Sequence, residues 1–453
     1  MCRNSHKKKP VSWKGLKSTS PDAILWKEKD QQRGGYKDRI PPRLICSEAE
    51  NRISCSSRLS IAAKMEKAMT TQTRKAIPVP QVEPRQPIPN QNLRVPGPTP
   101  VPERILAEMA RPMINHRGPE FAAIMRRVTA RLQYFFQTAS PVMTFPASGT
   151  GGQEAAIANL FSAGDHVIAI SIGNFGDRLA TIAGKFGLQV TKISFPWGEA
   201  ADPNVVEEKL KASAPYKGVL VTHNETSTGV TNDIETLSKV IRQHNPDALI
   251  VVDAVSSLGC VPLEMDPWDL DVVFTGSQKG WMTPPGLMMI AAGPRALEAN
   301  KTATLPRFYF DWGLSLKNLE RFMHPTTPPI SLFYALDLAL ELMLEEGRDA
   351  IFARHQQAGD YVRGRAKDFG LGLLANHPYA SNTVSALLVP DGIVDKTLLK
   401  TLREQDHVVL ANGQTQLEGK IIRVGHLGNF ALQDLSDALD RLEARLIELG
   451  YKK

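Results

Sequence analysis

The chain has 453 residues, of which 42% are hydrophobic and 22% charged, the balance of a globular protein with material for a large core and room for two or three domains. No apolar run reaches the ~18 residues that a transmembrane helix needs. The net charge of +7 suggests nucleic acid, but residues 1–64 hold 15 lysines and arginines against 6 acids, a net +9, which leaves −2 for the rest and argues against a nucleic-acid role for the body.

Residues 1–64 show no periodicity and no apolar core of a secretory signal. They read as a disordered basic tail; mitochondrial targeting is opposed by the acids, and a later start, at Met65 or Met69, would leave the same body. Three of the four cysteines, Cys2, Cys46 and Cys55, lie there. The body keeps Cys260 alone, so it can build no disulfide framework and no cysteine metal site, which fits a reducing, cytoplasmic setting.

Residues 76–102 are rich in proline and predict an extended linker ending against the body. Over 118–139, Phe121, Ile124, Val128, Leu132 and Phe135 recur at helical spacing. Short apolar runs then alternate with helical patterns: "HVIAISI" (166–172), "QVTKISF" (189–195), "GVLVTH" (218–223), "ALIVVD" (248–253), "DVVFTG" (271–276) and "GLMMIAAG" (286–293). Runs that are apolar on both faces and alternate with helices predict a mostly parallel sheet covered on both sides. After a helix at 331–346 the texture becomes α+β. It comprises a helix at 355–369, β-rich runs at 383–390 and 420–427, and a last helix with Leu432, Leu435, Leu439, Leu442, Leu446 and Leu449 on one stripe. The chain thus divides into a basic, proline-rich extension over 1–92, a large domain over 93–345 and a smaller C-terminal domain over 346–453.

In open parallel sheets, ligands bind beyond the carboxyl ends of the strands. Asp253 ends one apolar run, Lys279 comes after another, and Thr226, Ser227 and Thr228 come after a third. Each has an ordinary explanation alone: a turn aspartate, a surface lysine, a polar loop. Together they place an acid, an amine and hydroxyls at one sheet edge. Upstream, "ASGTGG" (147–152) leads into a helix, an arrangement suited to an anion. It is neither a Walker loop nor the dinucleotide fingerprint, since it lacks a succeeding Gly-Lys-Ser/Thr and Glu154 stands where a third glycine belongs. A single-phosphate cradle, a buried acid and an isolated lysine fit pyridoxal 5'-phosphate, which needs an amine for a Schiff base, a carboxylate for its ring nitrogen and an anion site.

In order along the chain, "VPGPTPVPE" (95–103), "ASGTGG" (147–152), "GNFGDR" (173–178), "THNETSTGV" (222–230), "VDAVSSLG" (252–259), "GSQKGWMTPPG" (276–286) and "RVGHLG" (423–428) resemble the class V aminotransferases of the alanine–glyoxylate, serine–glyoxylate and serine–pyruvate group. The resemblance covers 93–450 and is nearest to the bacterial branch that includes cyanobacterial proteins labelled soluble hydrogenase small subunit. Nothing in the body supports hydrogenase chemistry, since it has one cysteine and no metal-ligand cluster. The resemblance implies a fold type I pyridoxal-phosphate transferase, α/β, with a mostly parallel seven-stranded sheet and a smaller α+β domain. It implies that Lys279 carries the cofactor and that Asp253 pairs with the ring nitrogen. Thr150, Gly151 and Gln278 resemble the phosphate binders, Phe175 the ring that stacks on the cofactor, and Ser227 a hydroxyl near cofactor and substrate. Arg423 resembles the arginine that grips the substrate carboxylate, a task its planar fork suits. Two departures stand out. Gly152 replaces a histidine of human-type members, and the partner-subunit phosphate contact near 323–331 falls on Thr327, with Thr326 as rival.

The implied reaction moves the amino group of alanine or serine to glyoxylate or pyruvate in two stages. Small amino acids and 2-oxo acids are the implied ligands, and a homodimer completes the active sites. No nucleic-acid or membrane partner and no metal is expected. Alternatives within the family are an aspartate-type or ureidoglycine-type aminotransferase or a lyase. A cysteine desulfurase would have to use Cys260, which lies on the wrong segment, and a non-catalytic binder would not need Lys279.

Overall fold

The computed structural model describes residues 87 and 89–452 apart from residue 376. The tail over 1–64 and most of the proline-rich stretch before residue 89 lie outside the described residues. Seven strands form the main sheet: β1 (Val142–Phe145), β2 (His166–Ser171), β3 (Gln189–Ser194), β4 (Gly218–Thr222), β5 (Leu249–Asp253), β6 (Val272–Gly276) and β7 (Met288–Ala292). Their spatial order is β1-β7-β6-β5-β4-β2-β3. From β6 to β3 all neighbours are parallel, while β7 runs antiparallel to both β6 and β1.

Alternate residues of each central strand feed different cores. Ile168, Ile170, Val219, Val221, Ile250 and Val252 enter one cluster. Val167, Ala169, Leu220, Leu249 and Val251 enter the other. Both faces are therefore covered, and these strands read as unbroken apolar runs for that reason. The edge strand β3 differs: Gln189, Thr191 and Lys192 are exposed, and Lys192 is ion-paired to Asp177. A charged side chain there blunts the open edge.

The helices of this part are α1 (Glu103–Met109), α2 (Pro119–Phe136), α3 (Gly149–Leu160), α4 (Asn174–Lys185), α5 (Pro203–Ala212), α6 (Ile234–His244), α7 (Pro294–Thr302) and α8 (Trp312–Leu319). In α2, Pro119 takes the first helical position, where its missing N–H costs nothing, and Gln137 at φ 53° ends the helix. The whole predicted stripe from Phe121 to Phe135 is buried.

The C-terminal part contains α9 (Ile330–Glu346), α10 (Arg348–Asp368), α11 (Asp395–Gln405) and α12 (Leu432–Glu448). Strands β8 (Val384–Leu388), β9 (Ala411–Asn412) and β10 (Ile421–Gly425) form an antiparallel sheet in the order β8-β10-β9. Val362, Leu398, Leu402, Leu435, Leu439, Leu442 and Leu446 form a separate core there. Three details correct the sequence reading. The helix expected from 355 begins at Arg348, set off from α9 only by Gly347 at φ 86°. The two-residue strand β9 has no propensity signal of its own. Leu432, the first residue of α12, and Leu449, just past its end, are 37% and 40% exposed, so the stripe is buried only from Leu435 to Leu446.

The end of the proline-rich stretch is not a free linker. Asn92 and Leu93 pair in parallel with Val408 and Val409. Gly425 donates to the Arg94 carbonyl at 2.7 Å, and the buried Arg94 guanidinium stands 3.7 Å from Asp434. Residues 92–94 thus bond to the C-terminal sheet before the chain continues into the main one.

Candidate active site

Because β4, β5 and β6 are parallel, their carboxyl ends fall on one edge. There, the N-termini of α3 and α4 help to enclose a cleft. Lys279 comes just after β6 in a loop fixed by side chains. Ser277 Oγ donates to Pro284 O and accepts from Leu287 N, and Thr283 Oγ1 donates to Ser277 O. The Lys279 amine donates to the Pro96 carbonyl, and Thr99 Oγ1 donates to the Lys279 carbonyl at 3.0 Å. Burial draws the Lys279 pKa down to about 8, Arg423 adds to the shift, and Asp253 and Cys260 oppose it.

Asp253 is the last residue of β5. Its Oδ1 accepts from Val255 N at 3.0 Å and its Oδ2 from Gln153 Nε2 at 2.8 Å. Burial pushes its pKa up to about 6. These two hydrogen bonds, Lys279 and Arg178 pull the other way.

Ser148 precedes α3 in extended conformation and caps no N–H of the helix. The N–H groups of Gly149, Thr150 and Gly151 have no acceptor among the described residues. Ser148, Gly149, Thr150 and Gln278 line the cleft, and Gln278 Oε1 is buried without a partner. Glycine is required at 149, since a Cβ there would lie 2.6 Å from Val255 Cγ2. A helix N-terminus left open in this way is an anion site. Gly151 does not line the cleft itself; a Cβ on it would meet Ala147 and Phe310.

Phe175 lines the cleft from the first turn of α4, with the Arg178 guanidinium 4.8 Å above its ring. The N–H groups of Phe175 and Gly176 donate to Glu225 Oε2 at 2.9 and 3.1 Å. Ser227 donates both its N–H and its hydroxyl to Glu225 Oε1, and its Oγ also accepts from Asn174 N at 3.0 Å. The hydroxyl of Ser227 is therefore spent inside the protein. Thr226, not Ser227, faces the cleft from this loop. Glu225 is fully buried, and burial raises its pKa despite four N–H and O–H donors.

Arg423, in β10, is 6% exposed and has no carboxylate partner among the described residues. Its Nε donates to Asn412 O at 2.8 Å and its Nη1 to Thr226 O at 3.1 Å. Burial lowers its pKa to about 10, with Glu225 opposing. Thr327 is exposed, and Thr326 is bonded to His324; neither lines the cleft of this chain. Sequence reading had not singled out Gln153, Glu225, Arg178 or the role of Pro96. No group of three or more metal-ligating side chains occurs among the described residues.

The family model for class-V aminotransferases matches residues 97–426. A Synechococcus protein named soluble hydrogenase, small subunit, is 44% identical over 361 residues, covering 79% of this chain and 94% of that one. The L-aspartate–glyoxylate aminotransferase of Paracoccus denitrificans is 38% identical over 360 residues, covering 79% and 91%. The crystal structure of an alanine–glyoxylate aminotransferase from Nostoc superposes with a TM-score of 0.77 at 33% identity, covering 81% of this chain and 97% of that one.

Proposed function

The chain belongs to the class V aminotransferase family, and from that premise we propose that it transfers the amino group of alanine or serine to glyoxylate or pyruvate with pyridoxal 5'-phosphate as cofactor. One observation carries the reading: a buried amine, that of Lys279, opens on the same cleft as Asp253 and the uncapped N-terminus of α3.

The residues present fit that cofactor. The free N–H groups of α3 suit a phosphate, and the side-chain NH2 of Gln278, which lines the same cleft, can donate to it. Phe175 and Val255 offer apolar walls to a ring. Asp253 has no cation in hydrogen-bond contact among the described residues, so its carboxylate is available to a protonated ring nitrogen. When bound, the cofactor supplies a carbonyl for the amino group and a ring that takes up the charge left when the α-proton departs.

The chain's own residues do the rest. Lys279 has a large neutral fraction near pH 8, so its amine can attack a carbonyl, and once free it can take the α-proton and return it. Arg423 is a buried guanidinium in want of an anion, and it holds the carboxylate of the amino acid and of the oxo acid in turn. Arg423 does not itself line the cleft; Thr226, whose carbonyl accepts from Arg423 Nη1, does, as does Phe175. Within the same reading, residues 93–345 form the cofactor-binding domain, 346–453 the smaller one, and Thr327 of a second copy reaches the phosphate in a homodimer. Small amino acids and 2-oxo acids are its ligands, and the compartment is the cytoplasm. No helix among the described residues is long and apolar enough to cross a membrane. A desulfurase reading is disfavoured by Cys260, which is fully buried and whose pKa burial pushes up to about 12.

The purified protein should be yellow, and borohydride should fix the cofactor covalently on Lys279, located by peptide mass spectrometry. A colourless protein that takes up no cofactor would overturn the reading. A matrix of alanine, serine and aspartate against glyoxylate and pyruvate then selects the pair; oxo-acid formation without an acceptor would instead mark a lyase.

A further inference from the structure

Gln153 is 2% exposed and lies in α3, one helical turn beyond Thr150. Its amide is the one side chain hydrogen-bonded to Asp253 among the described residues. The other bond to that carboxylate comes from the backbone of Val255. Gln153 Oε1, by contrast, is buried and unpartnered in the lining of the cleft. An orphaned buried carbonyl is costly, and its presence asks for a reason.

A primary amide supplies one: it donates at one end and accepts at the other. With its N–H toward Asp253 it supports the carboxylate. Rotated about its last torsion, it turns the free Oε1 toward the same group and supports the carboxylic acid. Lys279 and Arg178 bear on Asp253 as charges and favour its ionised form, but neither is bonded to it among the described residues. Gln153 alone combines direct contact with the capacity to serve both states. Its helix also carries the anion cradle, so one rigid element spaces Asp253 from that cradle.

We propose that Gln153 is a positioning residue, which fixes the Asp253 carboxyl for the proton shared with the cofactor's ring nitrogen. The inference rests on the reading of the cleft as a pyridoxal 5'-phosphate site. Gln153→Met keeps the length of the side chain and removes donor and acceptor. Gln153→Glu keeps its shape and sets a second carboxyl beside the first.

The first readout uses the cofactor-free protein. Asp253 is titrated by isotope-edited infrared spectroscopy, with Asp253→Asn to assign its band. Of the two bonds the one to the charged form is charge-assisted and the stronger, so its loss should raise the midpoint by about one pH unit, tenfold in proton affinity, in Gln153→Met. The rise should be larger in Gln153→Glu, where two carboxyls share a proton. The second readout is the nitrogen-15 shift of ring-labelled cofactor bound to each variant, which should move toward the unprotonated ring nitrogen. A folded Gln153→Met protein with an unchanged Asp253 midpoint and an unchanged ring shift overturns the proposal. If that variant does not fold, unchanged values in Gln153→Glu do so. Failure of the wild type to bind cofactor would instead sink the functional reading, and the cofactor-free titration would still decide the contact.

Discussion

Lys279 is held where its charge is least welcome, and this can be read from stability as well as from chemistry. Its pKa in the folded chain is about 8, against 10.5 for the free side chain. Between those values the unfolded chain carries a proton that the folded chain lacks, so this residue makes stability rise with pH across that window. Below pH 8 both states are charged and the full cost of burial applies, at most about 3 kcal/mol from the separation of the two values. Lys279→Met should therefore stabilise the cofactor-free protein in urea at pH 7, and the gain should shrink toward pH 10.5. A gain independent of pH would mean that the amine is not desolvated. Arg423 makes a complementary case, since it is buried without a counter-anion among the described residues. Arg423→Gln should raise KM for both amino donor and oxo acid about 100-fold, in line with ~3 kcal/mol for a charge-assisted pair. Borohydride labelling of Lys279 should persist in that variant. Loss of labelling would show that Arg423 serves the cofactor rather than the substrate.

At the scale of elements, segment 92–99 does more than its composition suggests. It pairs with Val408 and Val409, and it brings the Pro96 carbonyl to the Lys279 amine and Thr99 to the backbone beside it. Gly97 sits at φ 122°, and a Cβ there would lie 2.5 Å from Lys279 Nζ. Gly97→Ala should both strain the backbone and displace the amine, lowering the rate of borohydride fixation at least tenfold as well as the melting temperature. A normal fixation rate would mean that the lysine does not depend on this segment. The sequence could not reveal the contact, because proline-rich chain has no periodicity and its partners lie far along the chain. The main sheet was legible because burial on both faces writes continuous apolar runs. Asp253 and Lys279 were legible because polar residues that end such runs stand out. Thr226 and Ser227 were not distinguishable, since adjacent hydroxyls in a loop give no clue to which one a buried Glu225 will claim. Gln153 was hidden inside a helix whose glycines drew the attention, and its contact with Asp253 spans 100 residues of chain.

For the molecule as a whole, charge and similarity divide the chain at different but compatible places. The family match begins at residue 97, and the main-chain contacts that build the cleft start with the segment from Asn92. The excess positive charge lies in residues 1–64, and residues 65–453 carry a formal −2. A protein beginning at Met65 should therefore lose retention on a cation exchanger at pH 7 while keeping its cofactor, its melting temperature and a kcat/KM within about twofold. The sign change of net charge alters partition on a charged surface, which is long-range, but not a buried cleft whose ionic environment is set by Arg423, Asp253 and Glu225. Should transamination fall more than tenfold on truncation, the tail would have to supply part of the site or of the assembly. If activity holds but the salt dependence of substrate capture changes, the tail acts only by attracting the anionic oxo acid. That outcome is separable from the first, because added salt would abolish the difference.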